Sequence, residues 1–194
     1  VTLTASVTSG AGTPTGTVTF YDGAVSLGTA TLSGGAASLA TSALAVGSHA
    51  ITVVYSGDAS FNGATSAAIT QAVNKASTTA VAGSSPNPSV FGQGVTLTAT
   101  LAAVAPGAGT PSGTVTFYDG AVSLGTVTLS GGAASLATSA LAVGSHAISV
   151  VYSGDASFTG ATSAAITQVV NKASTTAVAG SSPNPSVFGQ SVTL

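Results

Sequence analysis

Gly113-Thr114-Val115-Thr116-Phe117-Tyr118-Asp119-Gly120 decides the fold, and it occurs twice: the same eight residues stand at Gly16-Thr17-Val18-Thr19-Phe20-Tyr21-Asp22-Gly23. Val115 and Phe117 alternate with Thr114, Thr116 and Tyr118, the period of two that places apolar side chains on one face of a strand and polar ones on the other. Asp-Gly then closes the run. Between two strand patterns that pair signals a two-residue hairpin, and both of its positions are expected at positive φ. The neighbouring segments keep the same period. Val95, Leu97, Ala99 and Leu101 alternate with Thr96, Thr98 and Thr100, and His146, Ile148, Val150 and Tyr152 share one face of a further strand. Gln168 falls between Ile166 and Val170 on an otherwise apolar face, which predicts a bulge there.

The duplication extends far beyond the eight residues. Thr13–Leu97 pairs with Thr110–Leu194 over 85 positions, of which only six differ: Thr15/Ser112, Ala30/Val127, Thr52/Ser149, Asn62/Thr159, Ala72/Val169 and Gly94/Ser191. Val-Thr-Leu at 1–3 returns at 95–97 and again at 192–194. Fixed-period self-similarity of this kind marks a repeat architecture. The register divides the chain into residues 1–74, a domain lacking its first strand; residues 75–171, a complete domain; and residues 172–194, the first strand and the start of the second of a following domain. The expectation is a segment of a longer array whose three-residue link, Asn74-Lys75-Ala76, restricts hinge motion and favours a semi-rigid rod. Pro86-Asn87-Pro88 cannot lie inside a central strand and breaks the first strand of the complete domain. The spare segment Ala173–Gln190 is read as a strand able to complete an identical subunit by strand addition.

Composition narrows the functional classes. Charged residues are 3% of the 194, against about 25% in an ordinary soluble domain, and hydrophobic ones are 44%. A net charge of −2 with two Lys and no Arg provides no basic patch for nucleic acid. Gly, Ser and Thr interrupt every apolar stretch before it reaches membrane-spanning length, so no membrane insertion is expected in this segment. Without Cys there is no disulfide, thiolate metal site or cysteine nucleophile.

Gly113 to Phe158 resembles the bacterial immunoglobulin-like (Ig-like) tandem repeats of large surface and adhesin-type proteins. The residues that carry the resemblance are the eight-residue run above, Leu141-Ala142-Val143-Gly144-Ser145-His146, Val151-Tyr152-Ser153-Gly154-Asp155, and Ser186-Val187-Phe188-Gly189-Gln190-Ser191-Val192-Thr193-Leu194. The resemblance implies an all-β fold of tandem Ig-like sandwiches with about seven strands per repeat. Antibody-type domains carry Gly-x-Tyr-x-Cys at the sixth strand. Here Gly144-Ser145-His146-Ala147-Ile148 stands in that place, so packing must do the work of the bridge.

The chemical inventory of each repeat is thin. Asp22 and Asp119 read as hairpin-turn residues and Asp58 and Asp155 as loop residues, since Asp hydrogen-bonds its own backbone in turns; one carboxylate makes a poor calcium cage. His49 and His146 read as corner residues bonded to a nearby loop. Catalytic residues, metal ligands and cofactors are expected to be none. Tyr21 and Tyr118 are the candidates for weak surface binding, and the Phe residues read as core. The expected function is structural: a segment of an extracellular or cell-surface stalk or filament, partnered by neighbouring repeats or identical subunits. The alternative is an adhesin-type module recognising carbohydrate or a surface protein.

Overall fold

The computed structural model describes residues 1–194 and contains strands, turns and loops without a helix. The first repeat is built from β1 (Thr2–Ser6), β2 (Thr17–Asp22), β3 (Val25–Thr31), β4 (Ala36–Ala40), β5 (Gly47–Tyr55), β6 (Ala64–Thr65) and β7 (Ile69–Val73). The second is built from β8 (Thr78–Ser85), β9 (Ser89–Val90), β10 (Val95–Ala103), β11 (Thr114–Asp119), β12 (Val122–Thr128), β13 (Ala133–Thr138), β14 (Gly144–Tyr152), β15 (Ala161–Thr162) and β16 (Ile166–Asn171). An all-β architecture is therefore what the chain adopts.

Its residues cluster into two compact units. One comprises Val1–Thr79, Leu101–Gly113 and Tyr152–Ala161; the other comprises Ala80–Thr100, Thr114–Val151 and Thr162–Leu194. The first unit contains all of the first repeat, in which β1 pairs antiparallel with β4, and β3-β2-β5-β6 form a second sheet with β7 also on β5. Leu3, Val18, Phe20, Leu32, Ile51 and Tyr55 make its buried cluster, with Val53 and Phe61 half-buried against it. The same unit holds the link. Ala76 N–H donates to Ser157 O at 2.9 Å, and Thr159 N–H donates to Ala76 O at 2.9 Å, so the link runs as a parallel bridge along the 153–160 loop. The three-stranded sheet β13-β10-β8 and the sheet β12-β11-β14-β16-β9 carry the second repeat. β8 lies at an edge, and β9, beyond Pro86-Asn87-Pro88, pairs parallel with β16.

Period-two alternation translates directly into burial. Along β10, Val95, Leu97, Ala99 and Leu101 are buried and the threonines between them are exposed. Val115, Phe117, Ile148 and Val150 are fully inaccessible to solvent. Ile148 occupies the place of the missing cysteine as an ordinary core residue.

Four expectations are corrected. The hairpins close one residue later than the Asp-Gly reading: Asp22 pairs with Val25 and Asp119 with Val122, so the turn residues are Gly23-Ala24 and Gly120-Ala121. Only the glycine is at positive φ, +55° in both copies, and a Gly at the first of two turn positions is the II′ signature. The expected bulge at Gln168 does not occur, because β16 pairs with β14 in unbroken register from Ile166 to Val170. The register shifts fall instead at Phe20/Tyr21 and Phe117/Tyr118. Residues 173–190 form no strand: their backbone has no neighbouring strand to bond to, and a single bridge, Ser182 to Thr193, is the only pairing. Phe91 and Phe188 are exposed rather than core.

Candidate functional site

Shifting the turn by one residue leaves Asp119 as the last residue of β11, beside β14. Its Oδ2 lies 2.6 Å from His146 Nδ1, and His146 Nε2 lies 2.8 Å from the carbonyl oxygen of Ala142. Ala147 N–H donates to the second carboxylate oxygen at 3.1 Å. In the first repeat Asp22, His49 and the Ala45 carbonyl repeat the arrangement at 2.7 and 2.8 Å. Both ring nitrogens face acceptors only, so each must donate and the imidazolium is the favoured form. The pKa of both histidines is accordingly raised above 6.5, first by the carbonyl bond and then by the carboxylate, against an opposing contribution from burial. The pair ties the hairpin turn to the Leu-Ala-Val-Gly loop that leads into the following strand.

Asp58 and Asp155 hold the opposite loops. Asp155 Oδ2 accepts from Ser112 N–H at 2.9 Å and Ser112 Oγ–H at 2.7 Å, while Oδ1 accepts from the Ser157 and Phe158 N–H groups, both at 2.8 Å. Asp58 makes the same four bonds, to Thr15, Ser60 and Phe61. Thr15/Ser112 is one of the six differences between the repeats, and it preserves the hydroxyl. The Thr15 and Ser112 hydroxyls, joined by the loop N–H groups, hold both carboxyls well below the usual carboxylate range. Every acceptor direction of these carboxylates meets a donor, so they act as clamps between two loops rather than as open cation ligands. Gly57 and Gly154 make the loop possible: at φ of +86° and +87°, a Cβ would sit 2.8 Å from the carbonyl oxygens of Phe61 and Phe158. Tyr152 lies beneath the clamp, where burial, with Asp155 adding to it, pushes its hydroxyl up to about 12.

Tyr21 and Tyr118 are half-buried, each beside the register shift of its hairpin. A concave feature lies elsewhere. A cleft of about 420 Å³ opens in the first repeat between β1 and the edge formed by β5, β6 and β7; its walls include Leu3, Ala5, Val53, Ile69 and Gln71. In the second repeat the corresponding ground is covered by β8 and β9. There Gln168, the counterpart of Gln71, is wholly buried and donates from Nε2 to Pro86 O at 3.1 Å and Ser89 Oγ at 3.2 Å. Asn87 spans β16 with its side chain, donating to Thr167 O at 2.7 Å and accepting from Val169 N–H at 3.0 Å. An amide side chain thus supplies ladder bonds where the two flanking prolines cannot. Sequence reading reached neither the Asp58 and Asp155 clamps nor this Asn-Gln pair. The one available signal was Gln168 on an apolar strand face, because a polar residue in such a place needs a partner.

These features define a β-sandwich module in which carboxylate, imidazole and amide side chains fasten loops and strands. The chain belongs to the bacterial Ig-like domain family (group 3), which matches residues 1–74 and 81–171. No curated protein matches it in sequence. Among solved structures it is similar to the fibronectin(III)-like modules of Clostridium thermocellum CbhA, at 19% identity and a TM-score of 0.41 over 89% of this chain and 85% of that one. It is also similar to the Ig1–Ig3 ectodomain of mouse nectin-like molecule 4, at 13% identity and a TM-score of 0.32 over 84% of this chain and 57% of that one.

Proposed function

We propose that the chain is a structural segment of an extracellular stalk or filament, in which successive Ig-like sandwiches supply length and mechanical continuity. The observation that carries this reading is the sameness of the two repeats at their functional-looking positions. The Asp-His corner and the four-bond Asp clamp are present in both copies with closely matching distances. The six differences add no acid or base to either copy; two exchange one hydroxyl for another, Thr15/Ser112 and Thr52/Ser149, and two put a hydroxyl where the other copy has none, Asn62/Thr159 and Gly94/Ser191. Repetition without a distinguishing side chain suits a load-bearing spacer, where each unit does the same work, better than it suits a receptor or an enzyme. Its partners are then repeats of its own kind.

Two measurements test it. Antibodies raised against the chain should label the outside of intact source cells. Single-molecule stretching of the chain should show the complete second repeat unfolding as one cooperative step that lengthens the tether by about 3.3 Å per released residue. Exclusively intracellular labelling, or gradual extension without a cooperative step, would remove the proposal.

A further inference from the structure

Asn62-Gly63 is the one Asn-Gly pair in the chain, and only the first repeat carries it, because Thr159-Gly160 stands in its place in the second. The other asparagines precede Pro (Asn87, Asn184) or Lys (Asn74, Asn171). The distinction is chemical. A backbone nitrogen attacks the side-chain carbonyl of the asparagine before it only if it carries a hydrogen and only if little bulk stands on its own Cα. Proline fails the first condition, the lysine side chain obstructs the second, and glycine, with no Cβ, meets both. In the fold, Asn62 and Gly63 are exposed between Phe61, whose N–H is held by Asp58, and β6. The Asn62 carboxamide and the Gly63 N–H are bonded to no other group of the chain. Their exposure belongs to the loop itself: Thr159 and Gly160 are equally exposed although Ala76 lies beside them, accepting from Thr159 N–H. The two Asp-Gly pairs show the opposite arrangement. Gly23 N–H donates to Ala50 O and Gly120 N–H to Ala147 O, both at 2.9 Å, and a histidine holds each carboxylate. There both reacting groups are fixed apart; at Asn62-Gly63 neither is.

We propose that Asn62 is a self-modification site of the folded first repeat. The Gly63 nitrogen attacks Asn62 Cγ and forms a new C–N bond. Its proton passes through solvent to the side-chain nitrogen, the Cγ–Nδ2 bond breaks, and ammonia leaves a five-membered succinimide joining the two residues. Water then adds to either imide carbonyl and breaks that carbonyl's bond to nitrogen, leaving aspartate or isoaspartate. The net change exchanges ammonia for water and needs no oxidant or reductant. Its consequence follows from the packing of the loop. A Cβ on Gly57 would lie 2.8 Å from Phe61 O, 2.9 Å from Gly63 N and 3.2 Å from the Asn62 carbonyl carbon, and one on Gly63 would lie 2.9 Å from Tyr55 O. Isoaspartate adds a methylene to the main chain at this point, where there is no room for a methyl group. The residues next to it must move, and the bonds from Ser60 and Phe61 N–H to Asp58 Oδ1 are the ones lost. The Asp155 clamp, beside Thr159, is untouched, so two near-identical loops age differently. The site is a property of the folded loop and stands or falls separately from the stalk reading.

Incubation of the 194-residue chain at mildly alkaline pH, followed by intact mass and peptide mapping, tests the proposal. The expected result is a mass gain equal to the difference between water and ammonia, located at Asn62, with both aspartate and isoaspartate peptides recovered. Asn62→Thr, which copies the second repeat, should abolish the gain and leave the fold intact. Hydrogen exchange of the aged chain should show Ser60 and Phe61 losing protection while Ser157 and Phe158 keep it. The same chain denatured in urea supplies the reference rate. Asn62 left intact in the folded chain over several half-times of the denatured one overturns the proposal, as does conversion at Asn74 or Asn171 ahead of Asn62. A converted chain in which Ser60 and Phe61 remain protected overturns the predicted loss of the Asp58 clamp.

Discussion

The first and second repeats share almost every residue, yet β5 and β14 face different surroundings. Val53 and Val150 occupy the same place in the same sequence, but one is half-buried and the other fully buried. The same holds for Gln71 and Gln168, and for Ser66 and Ser163, of which only the second is buried. Nothing in these residues differs. What differs is whether fifteen residues of the type Ala76–Val90 lie across them. Burial here is a property of the neighbour rather than of the side chain, and the comparison isolates the part of the sandwich that the segment Ala76–Val90 covers.

The comparison is sharpened most strongly where the two repeats should agree. Phe20 and Phe117 are both wholly buried, so Phe20→Ala and Phe117→Ala should each cost about 3–5 kcal/mol, measured by denaturant unfolding with repeat-specific hydrogen exchange. A cost confined to one repeat would show that the two cores are not equivalent. The next test is one in which they should disagree. Val150→Ala is expected to cost about 2 kcal/mol and Val53→Ala about half of that, because a half-buried valine has less contact to lose. Equal costs would mean that the cleft is covered in solution. Asn87→Ala should follow at about 1–2 kcal/mol, the worth of two ladder bonds to β16, and should leave the exchange of Ile69–Val73 unchanged.

The smallest effect expected is on pH. The raised histidine pKa values mean that the folded chain holds these protons more tightly than the unfolded one. Their stabilisation is therefore complete below about pH 6.5 and is lost as pH rises through the folded values. Asp58 and Asp155 act in the opposite sense: their depressed values contribute stability above about pH 4 that fades as acid protonates them. Stability should thus peak between about pH 4 and pH 6.5. In an NMR titration His49 and His146 should both titrate above 6.5 and close to one another. A histidine titrating below that value would break the equivalence of the two Asp-His corners.

Alternation was enough to read the strands. Val95 to Leu101, Val115 with Phe117, and His146 to Tyr152 bury the face that the period of two assigns them, because a strand with one wet side has no other way to place its apolar residues. The break at Pro86-Asn87-Pro88 was equally legible, since proline lacks the ladder donor. The fastenings were not. Asp119 and His146 lie 27 residues apart, Asp155 and Ser112 lie 43 apart, and Gln168 and Ser89 lie 79 apart. No local pattern announces such pairs. The reading of Gln168 as a bulge shows the limit: the residue was rightly noticed as anomalous on its face, but the distant Pro86 carbonyl and Ser89 hydroxyl that satisfy it cannot be inferred from its neighbours.

By itself, then, the sequence determined the repeat, the succession of strands along the chain, the hairpins to within one residue and the apolar face of the alternating strands, because these depend on period, turn chemistry and self-similarity, all local or countable. Tertiary structure alone decided which carboxylate meets which donor and where the sandwich is closed. Those outcomes depend on which strand lies beside which, and two stretches with the same residues differ there as soon as their neighbours differ.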